Sequence, residues 1–297
     1  MPNLTHLNYL LGRWLLVIAA LWQISCGQPA ATTATADPAT ALASAVANPA
    51  RSEADRGRDR YRHPAQTLEF FGLQPEMTVV EIWPGGGWYS DILAAFNRGQ
   101  LIAAHFPERA AAGSSERVSA YFDRSRSAYT AKLAAPDSPW QNIELAQFDP
   151  AQDLLTVAAN SADALLTFRN VHNWLNSDSE QRAFELFFTA LRPGGVLGVV
   201  EHRAAPGTDR ETMRSSGYMT EAYVIELAAA AGFVLEESSE INANPLDTRN
   251  HPAGVWTLPP SLRLGEERRA EYLAIGESDR MTLRFRKPHA QTDSGGY

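Results

Sequence analysis

The amino-acid sequence predicts a doubly wound α/β domain with a mostly parallel sheet. Three observations carry this prediction. Short apolar runs rich in β-branched residues alternate with amphipathic stretches from Arg51 onward, the pattern of strand–helix–strand units. The first run, "TVVEIW" (Thr78–Trp83), breaks at three consecutive glycines and resumes as a helix, "YSDILAAFN". Polar groups also collect where the strands are read to end, in "PGGGWY", "HFPE", "RNVHNW" and "EHRA". Doubly wound sheets bind their ligands at those strand ends.

The elements follow in order. "RSEADRGRDRYRHPAQTLEFFGL" reads as a charged helix, a break at His63–Pro64, and a helix turning Leu68, Phe70 and Phe71 inward. Gln74–Pro75 is a turn before the first strand. The next helix ends at Asn97–Gly99, and "QLIAAHF" is the second strand. Residues 107–140 are mostly helical, and "NIELAQFD" is a third strand. "ADALLTFRNVHNW" is a fourth strand that runs out into polar groups. "SEQRAFELFFTALRPGG" is an amphipathic helix stopped by Pro-Gly-Gly, and "VLGVVEHRA" is the fifth strand. "TEAYVIELAAAAGF" is a helix with Gly232 at its stop. "VLEESSEI" and "DRMTLRFRKP" are the last two strands, with a long Pro-rich insertion between them.

The 297-residue chain carries a formal charge of -8, which argues against nucleic acid as a partner. Its single cysteine, Cys26, follows "RWLLVIAALWQIS". That is a basic start and an apolar run of about eleven residues, short for a bilayer span and typical of a secretory signal. With Ser25 before it, Cys26 resembles the lipidated cysteine of a bacterial lipobox, although Gln23 stands where that motif prefers leucine. Residues 1–25 are therefore read as a signal peptide. Residues 26–50, rich in Ala, Thr and Pro, are read as a linker with too few large apolar residues for a core. Residues 51–290 are read as the folded domain and 291–297 as a frayed tail. The expected location is the bacterial envelope, periplasmic or held by lipidated Cys26, with membrane contact through that anchor or not at all.

None of the seven histidines forms His-x-x-x-His and no Cys–His cluster occurs, so no metal is expected. A Ser-His-Asp hydrolase is disfavoured by the lack of a Gly-x-Ser-x-Gly elbow. The glycine loop fits a dinucleotide site only in part, because Ser90 takes the third glycine position, and no P-loop Gly-Lys follows.

The loop resembles that of class I S-adenosyl-L-methionine (SAM) dependent methyltransferases, whose first strand ends in acidic-x-Gly-x-Gly-x-Gly. Glu81, Gly85 and Gly87 take the acidic and last two glycine positions, and Trp83 takes the first. "LRPGGVLGVVEHR" is similar to the segment leading into strand five of these enzymes. "EIWPGGGWYSDIL", "TFRNVHNW", "NPLDTRNHPAGVWTLPP" and "YLAIGESDRMTLRF" resemble a group of bacterial predicted methyltransferases of unassigned substrate. The resemblance covers roughly Arg58 to Pro288. It implies a Rossmann-like, seven-stranded, mostly parallel sheet with an antiparallel last strand, SAM as cofactor, and a small-molecule methyl acceptor.

Residue by residue, it implies that Glu81 faces the methionine end of SAM and that Gly85, Gly86 and Gly87 let the backbone meet it. Asp149 would accept from the adenine amino group. His105 stands where an acid normally grips the ribose, with Glu108 as a stand-in. His172 is the expected base, since imidazole titrates near neutrality; the alternative is a loop histidine packed on Trp174. Asn170 is grouped with it as catalytic, and Arg169 would orient an acceptor or the SAM carboxylate, unless both simply brace the loop. Trp174, His202, Arg249 and Trp256 are expected on the acceptor side, Arg249 and Trp256 from a lid that also includes His251. Arg60, Arg62 and His63 are read as a second lid or as a solvated helix face. A rival reading is an exported ligand-binding protein that keeps the fold without methylating; a third is a nicotinamide oxidoreductase.

Overall fold

The computed structural model describes residues 37–289. The expectations on the signal peptide, on Cys26 and on the tail lie outside the described residues. Two glycine-loop elements organise the rest: β1 (Val79–Ile82), buried at all four positions, and helix α5 (Trp88–Phe96). Residue alternation splits β1 between two cores. Val79 joins one apolar cluster, while Val80 and Ile82 join the other. Glu81 therefore shares the face of Val79 and lies under α5.

The sheet is completed by β2 (Leu101–His105), β3 (Ile143–Asp149), β4 (Leu154–Leu155), β5 (Ala162–Phe168), β6 (Leu191–His202), β7 (Val234–Ser239) and β8 (Arg280–Arg286). Its order is β4-β3-β2-β1-β5-β6-β8-β7. β1 pairs in parallel with β2 and β5, so the strand order reverses there. That switch point opens a crevice at the strands' carboxyl ends. β8 runs antiparallel between β6 and β7, as expected of the last strand. An eighth strand departs from the expected seven: the Leu154–Leu155 pair of β4 adds antiparallel to the edge at Phe148 and Asp149. Two residues are too few to show a strand period in the sequence.

Helices cover both faces. One face carries α1 (Pro38–Val46), α4 (Pro64–Phe70) and α5, with Tyr129 of α6 (Glu116–Leu133) packed alongside. The other carries α7 (Val171–Leu175), α8 (Glu180–Ala190) and α10 (Glu221–Ala230). Short helices α2 (Glu53–Arg56) and α3 (Asp59–Arg62) precede α4, α9 (Arg210–Ser216) follows β6, and α11 (Arg269–Ile275) lies in the late insertion. Among the described residues, no helix is long and apolar enough to cross a membrane.

Three boundaries differ from expectation. Helix α1 occupies part of the expected linker and packs on the domain core ahead of Arg51. Asp37 caps it by accepting from the Thr40 amide, and Pro38 opens it. Leu42 and Ala45 bury fully among Leu68, Phe71, Ile92 and Leu93, so one leucine and a stripe of alanines suffice to dock it. Arg51, 2% exposed, then donates to the Val46 carbonyl and forms a bidentate pair with Asp59. Strand β5 stops at Phe168 instead of continuing through "RNVHNW", which turns at Arg169 (φ 61°) and becomes α7. β6 begins at Leu191, before the Pro-Gly-Gly, because Leu191 pairs with Ala162 ahead of a register shift.

Candidate functional site at the carboxyl ends of the strands

A cleft of about 1100 Å³ opens where β1, β5 and β6 end. That exceeds the usual range for one small ligand, so it has room for a cofactor and a small acceptor together. Its lining joins the glycine loop, the end of β3, the start of α7, and parts of the late insertion.

The glycine loop is built around Trp83, which takes a positive φ of 44°. Such a conformation costs a bulky residue about 1–3 kcal/mol unless its surroundings hold it. Here they do. The indole N–H donates to the Phe148 carbonyl at 2.8 Å, and the ring packs edge-on against Phe148 and Trp174 and at 4.7 Å from Phe106. Trp83 thus replaces glycine by turning its ring into an aromatic wall of the cleft. Gly87 caps α5 at φ 85°, and a Cβ there would fall 2.3 Å from the Trp140 ring. Around Gly85 and Gly86 a Cβ would meet nothing within 4 Å, which leaves this backbone approachable by a ligand.

Glu81, 2% exposed, accepts from Ser90 Oγ at 2.6 Å, and Tyr129 in turn donates to Ser90. Burial raises its carboxyl to about 7, against the Ser90 hydrogen bond and the Arg169 charge, which favour the ionised form. Asp149 lines the cleft at the end of β3, its oxygens accepting from the Ala151 amide and the Gln152 side chain.

His105 requires a correction. It is fully buried: Nδ1 accepts from the Phe106 amide at 2.7 Å, so Nε2 carries the proton and donates to the Gly85 carbonyl at 3.3 Å. Burial lowers its pKa to about 4, which keeps the ring neutral. Both nitrogens are committed to backbone, so His105 holds the glycine loop in place and offers nothing to a ribose. Glu108, largely exposed and 3.6 Å from Arg126, does not line the cleft either.

On the other side, His172 and Glu201 form a buried dyad. His172 Nδ1 lies 3.1 Å from Glu201 Oε1. Glu201, fully buried, also accepts from the amides of Val171 at 2.6 Å and His202 at 2.8 Å. An acceptor-only carboxylate draws the His172 proton to Nδ1 and leaves Nε2 with a lone pair. His172 lines the cleft with Trp256 set edge-on to its ring at 6.0 Å. His202 sits 5.3 Å from His172, with Nδ1 2.5 Å from Ser278 Oγ. Burial first, and then the charges of His172 and Arg280, hold its pKa far below the usual value, so it stays neutral.

Ligand-type atoms of His172, Glu201 and His202 lie within 4.8 Å of one another, a grouping that sequence spacing does not announce. Both Glu201 oxygens already accept from backbone amides, and Ser278 occupies His202 Nδ1. That donor set fits a hydrogen-bonded relay better than a metal centre.

Other expected residues are placed as follows. Asn170 donates its amide to the Ile82 carbonyl at 3.0 Å and to Thr167 Oγ1, so it ties the end of β5 to the end of β1. It lines the cleft with that nitrogen already committed, which makes it a brace rather than a catalyst. Trp174 is fully buried among Trp83, Phe148 and Phe187 and cannot touch an acceptor; the packing partner of His172 is Trp256 instead. Arg249 pairs with Asp279 at 3.4 Å outside the cleft lining, and His251 is held by Asp247 at 2.8 Å. Trp256 and Arg263, its guanidinium 4.4 Å over the Trp256 ring, line the cleft from the insertion. Arg169 and Arg62 also line it, joined by Arg58, Glu277 and Arg280. These last three carry no signal in the sequence, because Glu277 stands 219 residues from Arg58 in the chain and none of the three falls in a recognisable motif.

No family model matches the chain, and no curated protein matches it. Solved structures do. Phosphoethanolamine N-methyltransferase 2 of Haemonchus contortus, in complex with SAM, is 14% identical over 77% of this chain and 53% of its own, with a TM-score of 0.53. The [4+2]-cyclase SpnF is 18% identical over 85% and 93% of the two chains, with a TM-score of 0.50. A SAM-dependent methyltransferase of Aquifex aeolicus covers 69% of this chain and 93% of its own at 16% identity and a TM-score of 0.48. The chain has the class I SAM-dependent methyltransferase fold.

Proposed function

We propose that the protein is a SAM-dependent methyltransferase acting on a small-molecule acceptor, with His172 as general base. The observation that carries this reading is the His172–Glu201 dyad, whose histidine lines the same cleft as an open-faced glycine loop while the carboxylate is buried behind it. The cofactor fits on the chemistry of the residues present. Gly85 and Gly86 leave backbone open to its methionine end, Glu81 would balance its cationic amino group when ionised, and Asp149, on the cleft wall, would accept from its adenine. When bound, SAM supplies an electrophilic methyl group. The chain's residues would then do the rest: Trp83 and Trp256 wall the cleft, His172 Nε2 takes the acceptor proton, and Glu201 holds the resulting imidazolium. Orientation and base catalysis are the two effects asked of this site.

The rival reading keeps the fold without methyl transfer. His105 favours it, because the ribose position lacks an acid, and a cyclase is among the proteins that share the fold. Calorimetric titration of SAM and S-adenosylhomocysteine into the protein decides between them. Binding of both in the micromolar range supports the methyltransferase, and binding of neither removes it.

We also propose export, with Cys26 lipidated. Labelled palmitate is expected to enter the wild-type chain and not the Cys26→Ala variant; equal labelling of the two overturns the anchor.

A further inference from the structure

Three guanidinium groups in the cleft share one carboxylate, and a fourth lies close by. Glu277, 2% exposed, accepts from Arg58 Nε at 2.6 Å and Arg62 Nε at 3.1 Å, and it pairs with Arg280. Burial alone would raise its pKa; the charges of Arg280, Arg62 and Arg58 outweigh that and hold it well below the carboxylate range. Arg169 has no carboxylate partner among the described residues, although burial and the neighbouring Arg280 press on it. Arg58 Nη2 and Arg280 Nε are buried without any hydrogen-bond partner.

Desolvated, uncompensated positive charge is expensive, and a protein retains it where an anion completes the group. Overall composition does not explain the cluster, since the chain as a whole carries -8. Guanidinium forks suit an oxyanion, which they bind through paired N–H bonds.

The position of the cluster relates it to the chemistry. Arg280 is the register partner of His202, which neighbours His172. Arg62 lies 4.6 Å over the ring of Trp88, the first residue of α5 after the glycine loop. An anion held here would therefore sit between the glycine loop and the base.

We propose that Arg58, Arg62, Arg169 and Arg280 form an oxyanion subsite that holds the acidic group of the methyl acceptor, so that the acceptor is an acidic small molecule. This rests on the cleft being a methyltransferase site. The cofactor's own carboxylate has the same chemistry, and the test separates the two sources.

The test uses the full chain, wild type and Arg169→Gln, with Arg98→Gln as a control at an exposed pair with Glu76. Arg169 is chosen because its side chain makes no hydrogen bond to the protein among the described residues, and its one backbone bond, to the Val200 carbonyl, does not involve that side chain. Inorganic phosphate is titrated into each protein, free and saturated with S-adenosylhomocysteine, with binding read by thermal shift and calorimetry. Affinity is also measured for S-adenosylhomocysteine and for 5′-methylthioadenosine, which lacks the carboxylate. Expected is phosphate binding to the S-adenosylhomocysteine-saturated wild type, weakened at least about tenfold in Arg169→Gln and unchanged in Arg98→Gln, with the affinity ratio of the two nucleosides unaltered. The proposal is overturned by phosphate that competes with S-adenosylhomocysteine while Arg169→Gln weakens only that nucleoside, since the cluster then serves the cofactor. It is equally overturned if phosphate binds neither form, or binds wild type and Arg169→Gln alike. If S-adenosylhomocysteine does not bind at all, the methyltransferase reading fails, and phosphate titration of the free protein still decides whether the subsite exists.

Discussion

Glu81 holds a carboxyl raised to about 7 in a fully buried place, against an ordinary value near 4.3. Between those two values the unfolded chain has lost the proton and the folded one keeps it. Stability from the protonated form is thus complete below about pH 4 and is lost as pH rises through 7. Relative to Glu81→Gln, the wild type is expected to lose on the order of 2 kcal/mol between pH 5 and pH 8 in denaturant titrations. A difference that stays constant with pH would remove this account. The dyad allows a second expectation. His172→Ala should lower kcat by roughly 10²–10⁴ with little change in SAM affinity. Glu201→Gln should also lower kcat, because the amide no longer stabilises the imidazolium; loss of SAM binding in either variant would point to misfolding instead. At this scale His172 and Asp149 line the cleft as expected, whereas His105 and Trp174 do not. A strand-end histidine looks the same in sequence whether its nitrogens face a ligand or the backbone, and Trp174 announces no burial until its aromatic neighbours arrive from the glycine loop, β3 and α8.

At the scale of elements, the glycine loop and α1 carry the predictions. Gly87→Ala meets both a positive φ and the Trp140 ring at 2.3 Å, whereas Gly85→Ala meets only the φ. The first is expected to destabilise by about 3 kcal/mol or more and the second by about 1 kcal/mol, measured by urea unfolding. Equal losses would show that the Trp140 contact does not matter. Leu42→Ala should cost about 2–4 kcal/mol, because Leu42 is the one large residue by which α1 docks. A chain begun at residue 51 should unfold more readily than one begun at 37. The seven longer strands were legible because their apolar runs sit between clear helix patterns. Helix α1 was not, because an Ala/Pro-rich stretch looks like a tether until Leu68, Phe71 and Ile92 supply a surface for it.

At the scale of the molecule, an acidic chain concentrates guanidiniums in its cleft. Anion binding there is expected to weaken as ionic strength rises, though less steeply than for exposed charges, since the cluster is mostly buried. Titration of phosphate at 20 and 300 mM salt checks this. The sequence by itself determined the doubly wound fold, the strand that ends in a glycine loop, and the polar stretch after the fourth strand that lines the cleft. These features follow from local periodicity and from residues adjacent in the chain. Only the tertiary structure decided which polar residues face the cleft. It paired His172 with Glu201 across 29 residues, turned His105 inward, and gathered Arg58, Arg62, Arg169 and Arg280 around Glu277. Such groupings depend on strand register and on buried charge, and neither leaves a mark on a local stretch of sequence.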